Sequence, residues 1–188
     1  MEKNIDKNNT RFIVEGGVSI ALSFILSFVV LFKMPLGGSV TFCSRLPIII
    51  YSTRWGVKKG FLAAAIFGIL NIIFGGYVIH PAQAILDYVL SYSAIALAGI
   101  SFGKKEGKTS YIPSIILSYL VSGAFNVISA FIFFNDMTTA KAAGFNNFTL
   151  YALAYNYSFL AADCAILIVV FLLTYDRLGK FFKKQYEK

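Results

Sequence analysis

Charge is scarce in this chain. Only 14% of its 188 residues are Asp, Glu, Lys or Arg while 57% are hydrophobic, a balance that excludes an ordinary soluble domain and points to a polytopic membrane protein. Cysteine and histidine are scarcer still. Cys43 and Cys164 stand inside apolar segments with no CxxC spacing, and the single histidine, His80, precedes Pro81; a disulfide framework or a metal centre needs more converging ligands than this. Both cysteines read as packing residues, and His80 as a helix cap or a solvent-facing side chain. The chain also lacks a nucleophile elbow, an HExxH pair, a Walker A loop and paired carboxylates at helical spacing, so an intramembrane enzyme has no chemistry to work with. No internal repeat appears, which withholds support from an inverted-repeat transporter. Tryptophan occurs once, at Trp55, against 19 Phe and 11 Tyr. Any aromatic pocket is therefore built from Tyr and Phe.

Apolar runs are what the chain has in abundance. Taking about 20 residues as a crossing length, the runs predict helices near 12–32, 39–53, 57–75, 81–102, 111–134 and 148–176, the second short and carrying Pro47. The expected fold class is an all-α membrane protein, one six-helix domain over 1–188. Its ends are a polar tail over 1–11, read as retained rather than as a cleaved signal, and a basic tail over 177–188.

The net charge of +8 does not mean a nucleic-acid partner, because the basic residues sit in short runs between apolar segments. Fourteen of them (Lys3, Lys7, Arg11; Arg54, Lys58, Lys59; Lys104, Lys105, Lys108; Arg177, Lys180, Lys183, Lys184, Lys188) fall on one side, with Lys33 and Lys141 on the other and Arg45 inside a span. That asymmetry puts both termini in the cytoplasm and requires an even number of spans.

Two connections on the outer side differ from simple links. MPLGGSVTF carries Pro35, Gly37 and Gly38 and reads as a mobile hairpin that could act as a lid. NDMTTAKAAGFNNF is long enough to fold over an outward cavity. Ordinary exposed loops are the alternative for both.

Polar groups within the spans carry the functional signal. Asp87 lies in the middle of an apolar helix, with Tyr77, Gln83, Tyr88 and Tyr92 around it; an acid at membrane depth costs about 3 kcal/mol on insertion scales, so it faces protein or a watery cavity. Tyr151 and Tyr155 are one turn apart and share a face, with Asn156 beside them, and serve either a flat polar ligand or interhelical hydrogen bonds. Asn126 and Asp163 are further candidates within the spans. Glu15 lies close to the cytoplasmic end of its helix, within reach of water or a basic loop. Arg45 either snorkels outward or pairs with Asp87 or Asp163. In the first span, Gly16, Gly17, Ser19, Ala21 and Ser23 form a small-residue surface for close helix packing, within the bundle or against a partner.

The run STRWGVKKGFLAAAIFGILNIIFGGYVIHPAQAILDYVLSYSAIALAG, with YALAYN further on, resembles the thiamine-specific substrate-binding (S) components of energy-coupling-factor transporters. The likeness extends from Glu15 to Asn156 and is strongest from Leu46 to Gly99. It implies a six-helix plasma-membrane protein that captures a vitamin from outside. Such a protein binds no cofactor of its own and joins a transmembrane coupling subunit and two ATPase subunits that use ATP. The resemblance implies ligand contacts from Tyr77, Asp87, Tyr88, Tyr151 and Asn156, with Asn126 and Phe134 at two further ligand positions, and coupling-subunit contacts from Gly17 and Ala21.

Five positions depart from that pattern, the first being Asp87, one methylene shorter than the usual glutamate. Asn126 stands for a histidine, Phe134 and Gly38 for tryptophans, and Phe42 for a second pocket carboxylate. Since thiamine is a cation suited to acids and aromatic faces, these changes imply weaker thiamine binding or a ligand shifted towards another small nitrogen heterocycle. A self-sufficient secondary transporter is the competing class, and a membrane scaffold in which Arg45 and Asp87 merely pair is the third.

Overall fold

The computed structural model describes residues 7–101 and 107–182. Lys3, Lys104, Lys105, Lys183, Lys184 and Lys188, part of the basic set above, lie outside them. The chain is a helical bundle with one small hairpin: α1 (Lys7–Ser27), β1 (Val30–Lys33), β2 (Ser39–Thr41), α2 (Leu46–Trp55), α3 (Val57–Ile73), a composite helix α4 (Pro81–Ser101), α5 (Ile112–Phe133), α6 (Met137–Ala142) and α7 (Phe148–Phe182).

Each of the six expected spans has its helix. Four, α1, α4, α5 and α7, are long and apolar enough to cross a membrane among the described residues. The other two are shorter, α2 with 10 residues and α3 with 17, below the usual crossing length of about 20.

The expected boundaries fail at one place, the 12–32 and 39–53 segments. Helix α1 stops at Ser27, and β1 pairs antiparallel with β2 in the register Val30↔Thr41, Phe32↔Val40 and Lys33↔Ser39. A short apolar run such as VVLF fits helix and strand alike; the Pro35–Gly38 turn that follows decides for the strand by folding it onto a partner. Gly37, at φ +97°, makes that turn. Cys43 then takes φ +57° in a fully buried corner, and α2 starts only at Leu46. This corner turns the Arg45 side chain back into the bundle, where it is 7% exposed.

The core runs along α2, α3, α5 and α7 through Ile48, Ile49, Phe67, Ile115, Leu160, Leu167 and Phe171. Small residues set the distances. A Cβ on Gly68 of α3 would meet the Tyr88 carbonyl oxygen, so only glycine lets α3 approach the middle of α4. There α4 departs from α geometry: Ile85–Leu90 forms a π-helical stretch and Ile95–Ser101 a 3₁₀ end. Such π segments in α-helices frequently mark functional sites, and this one carries Asp87 and Tyr88.

At the end of the bundle bearing Arg54, Glu15 accepts from Arg11 Nε at 2.8 Å, Arg54 Nε at 2.9 Å and Trp55 Nε1 at 2.7 Å, clipping α1 to α2. The small-residue surface of α1 divides. Gly16 packs under the Tyr51 ring and Ser23 is fully buried, whereas Gly17 and Ala21 are exposed with open space beyond Gly17.

Candidate functional site

The hairpin, α4, α5 and α7 enclose a cavity of about 110 Å³. All seven ligand residues expected from the sequence line it: Tyr77, Asp87, Tyr88, Asn126, Phe134, Tyr151 and Asn156. So do Gly38, Gln83, Tyr92, Tyr155 and Phe159. A second cavity of about 360 Å³ adjoins it across the hairpin and shares Gly37, Gly38, Ser39, Tyr77, Tyr88 and Tyr92 as wall residues. Small-molecule sites usually span roughly 300–1,000 Å³, so the inner space alone is tight for a ligand.

Asp87 is held rather than free. Its Oδ2 accepts from Gln83 Nε2 at 2.6 Å, one turn earlier on α4, while the same Gln83 donates to Tyr77 O at 3.1 Å and its Oε1 accepts from Ile79 N at 3.2 Å. Gln83 is 1% exposed, so the loop before α4 is fixed to the carboxylate through one amide side chain. Tyr88 adds a second tie, its hydroxyl accepting from Tyr77 N at 2.7 Å. Helix α4 begins cleanly because His80 Nδ1 accepts from Ala82 N at 3.1 Å. His80 is thus the cap its position suggested.

Aromatic rings form the sides. Tyr77 stacks on Phe134 with centroids 6.2 Å apart, Tyr88 on Tyr92 at 6.1 Å, and Tyr151 leans on Tyr155 at 5.9 Å. Asn156 is 6% exposed and donates to Ala152 O at 2.9 Å within its own helix, leaving its carbonyl oxygen uncommitted to that bond. Asn126 Oδ1 is buried with no hydrogen-bond partner among the described residues.

Arg45 settles the choice the sequence left open. Its Nη1 lies 3.9 Å from Asp163 Oδ2, and its guanidinium sits between the rings of Tyr92 at 5.1 Å and Tyr119 at 5.0 Å. Asp87 is therefore not its partner, and Arg45 itself lines the cavity. Asp163 is 3% exposed and heavily used: Oδ1 accepts from Thr41 N at 3.0 Å and Thr41 Oγ1 at 3.2 Å, and Oδ2 from Tyr119 Oη at 2.6 Å. One carboxylate thus joins β2, α5 and α7.

The departures noted in the sequence have physical counterparts. Phe42 is 43% exposed and does not line the cavity; the charged wall residue of that segment is Arg45, three positions on. A Cβ on Gly38 would lie 3.0 Å from Tyr155 Oη and 3.0 Å from the Phe159 ring, so those rings occupy the room a larger side chain would need. Tyr155 also donates to Pro35 O and accepts from Gly38 N at 3.2 Å. Gly38→Trp is accordingly expected to displace Tyr155 and Phe159 and to cost about 1–3 kcal/mol, as overpacking does. Thermal unfolding in detergent, against native protein, measures it; an unchanged midpoint would refute the crowding.

At the start of α6, Asp136 caps the helix, accepting from Thr138 N at 2.9 Å and Thr139 N at 3.2 Å. These bonds and the two threonine hydroxyls hold its carboxyl well below the usual carboxylate range. The cap is present above the ordinary Asp pKa and is lost only as pH falls through the depressed value.

Tyrosines, amides, one acid and one arginine line a cavity between membrane-length helices, the architecture of a polytopic membrane protein with an internal pocket. The family model for thiamine transporter proteins matches residues 13–183, and the chain belongs to that family. It is 29% identical over 184 residues to the thiamine transporter ThiT of Bacillus subtilis, covering 89% of this chain and 93% of the relative. Its fold matches a solved ThiT from Listeria monocytogenes with a TM-score of 0.74 at 19% identity, covering 94% and 99% of the two chains. It also matches a solved S component of a bacterial ECF transporter with a TM-score of 0.64 at 18% identity, again over 94% and 99%. The protein is a multi-pass plasma-membrane transport protein. Its relatives are transporters and not enzymes.

Proposed function

We propose that the chain is a thiamine-capturing S component, a single six-helix domain with both termini in the cytoplasm. In this reading it takes the vitamin from outside the cell and docks through Gly17 and Ala21 on a transmembrane coupling subunit. Two partner ATPases then supply the energy from ATP, and the chain itself binds no cofactor. What supports the ligand is the gathering of Tyr77, Asp87, Tyr88, Asn126, Phe134, Tyr151 and Asn156 around one cavity in a thiamine-transporter family member. Asp87, Asn126 Oδ1 and Asn156 offer acceptors to an aminopyrimidine edge, and the tyrosine faces offer π density to a thiazolium. What supports the docking surface is the exposure of Gly17 and Ala21 on α1, beside the Glu15 clip.

Isothermal titration calorimetry of the detergent-solubilised protein with thiamine tests the reading. Saturable binding well below the millimolar range is expected, weakened by the missing second acid and indoles; a nanomolar value would show that those groups are dispensable. Intrinsic fluorescence is a poor substitute, because Trp55 ends α2 and does not line the cavity. Absent or millimolar heat would refute thiamine as the ligand.

A further inference from the structure

Between Gly75 and Ile79 the chain forms no helix, and none of its backbone groups bonds to another backbone group among the described residues. Three of them bond to side chains of α4 instead. Tyr77 N donates to Tyr88 Oη at 2.7 Å, Tyr77 O accepts from Gln83 Nε2 at 3.1 Å, and Ile79 N donates to Gln83 Oε1 at 3.2 Å. Gln83 also reaches Asp87, its Nε2 lying 2.6 Å from Oδ2. The loop and the acid therefore share one amide. Its orientation is fixed by its neighbours: Nε2 faces a carboxylate and a carbonyl while Oε1 faces an N–H, so turning the amide over would set oxygen against oxygen and donor against donor. Gln83 is 1% exposed, which leaves water no room to replace a bond that is lost.

The same bonds divide the carboxylate. Oδ2 is spent on Gln83. Oδ1 takes no hydrogen bond among the described residues and, unlike Asn126 Oδ1, keeps exposed surface in a residue that lines the inner cavity. Ser129 of α5 stands near the acid, but its buried hydroxyl has no partner at hydrogen-bond distance. Building on the thiamine reading, we propose that Gln83 is a positioning residue: it turns Asp87 Oδ1 towards the ligand and fastens the Tyr77–Ile79 loop to the same acid, so that a ligand taken at Asp87 also stiffens the loop. Tyr77 gives the second half its weight. The residue lines both cavities and stacks on Phe134, and the hairpin turn lies against it, since a Cβ on Gly37 would come within 2.9 Å of Tyr77 Cβ. One amide thereby places both the acid that meets the ligand's donor edge and an aromatic ring of the pocket.

Two measurements on the full-length protein in detergent test this. The first needs no variant, so it stands even where a variant does not fold. Amide hydrogen exchange is followed with and without saturating thiamine, and the position that decides is Ile79, whose N–H sits on Gln83 Oε1 while the residue lines neither cavity. Slower exchange at Ile79 with thiamine bound is expected; unchanged exchange overturns the proposal. The second is calorimetry of native protein and Gln83→Met with thiamine and with the analogue whose pyrimidine amino group is replaced by oxygen. Native protein is expected to prefer thiamine, because the analogue sets an oxygen against the carboxylate. Methionine keeps the length and bulk of the side chain but donates no hydrogen bond, and in Gln83→Met that preference is expected to shrink about 10- to 100-fold, the effect of one misplaced hydrogen bond to a charged group. A merely structural loss would weaken both probes alike. A preference left unchanged, or a native protein that binds both probes equally, overturns the proposal and leaves thiamine as the ligand. Native protein that binds neither probe overturns the thiamine reading and the proposal together.

Discussion

Asp87→Asn is expected to abolish thiamine binding while leaving the unliganded protein at least as heat-stable as the native one. The substitution keeps the shape of the side chain and its contact with Gln83 Nε2, now at 2.6 Å from Asp87 Oδ2, and removes only the charge. Truncating one partner of a desolvated charge pair costs about 2–5 kcal/mol, roughly 30- to 5,000-fold in affinity. The half-buried acid is itself a burden on the empty fold, since among the described residues no cation pairs with it to offset desolvation. Calorimetry should show the loss, and the thermal shift that thiamine gives the native protein should vanish. Unchanged affinity would remove Asp87 from the site.

Asp163→Leu should have the largest effect on stability. It strands the Arg45 guanidinium in the core and takes the acceptor from Thr41 N and Tyr119 Oη. Breaking a buried pair from one side costs about 3–5 kcal/mol. The double change Arg45→Met with Asp163→Leu removes both charges and should recover much of that loss, because only the single variant leaves a charge uncompensated. Thermal unfolding of the two variants in detergent gives the answer. Equal midpoints for the single variant and the native protein would show that the pair holds nothing together.

Most of the site was legible because a carboxylate in an apolar run has few explanations. Asp87, its tyrosine neighbours and the Tyr151–Asn156 face all reached the same cavity. Arg45 was the harder residue. Its options were visible in the sequence, but its partner depended on the Cys43 corner, a left-handed turn at a non-glycine position that no local pattern announces. The same corner explains the late start of α2. Tyr155 and Gln83 were visible as neighbours of Asn156 and Asp87, but their bonds to loop backbone atoms, Pro35 O and the nearby Tyr77 O, were not. Side-chain chemistry was readable; loop placement was not.

The β1–β2 hairpin is a party wall. Gly37, Gly38 and Ser39 face both cavities, so a shift that widens one narrows the other. What pins the wall is α7: Tyr155 bonds to Pro35 O and Gly38 N, and Asp163 to Thr41 N. The position of this wall is therefore set by those few bonds to one helix, and hardly at all by the length or greasiness of the spans around it.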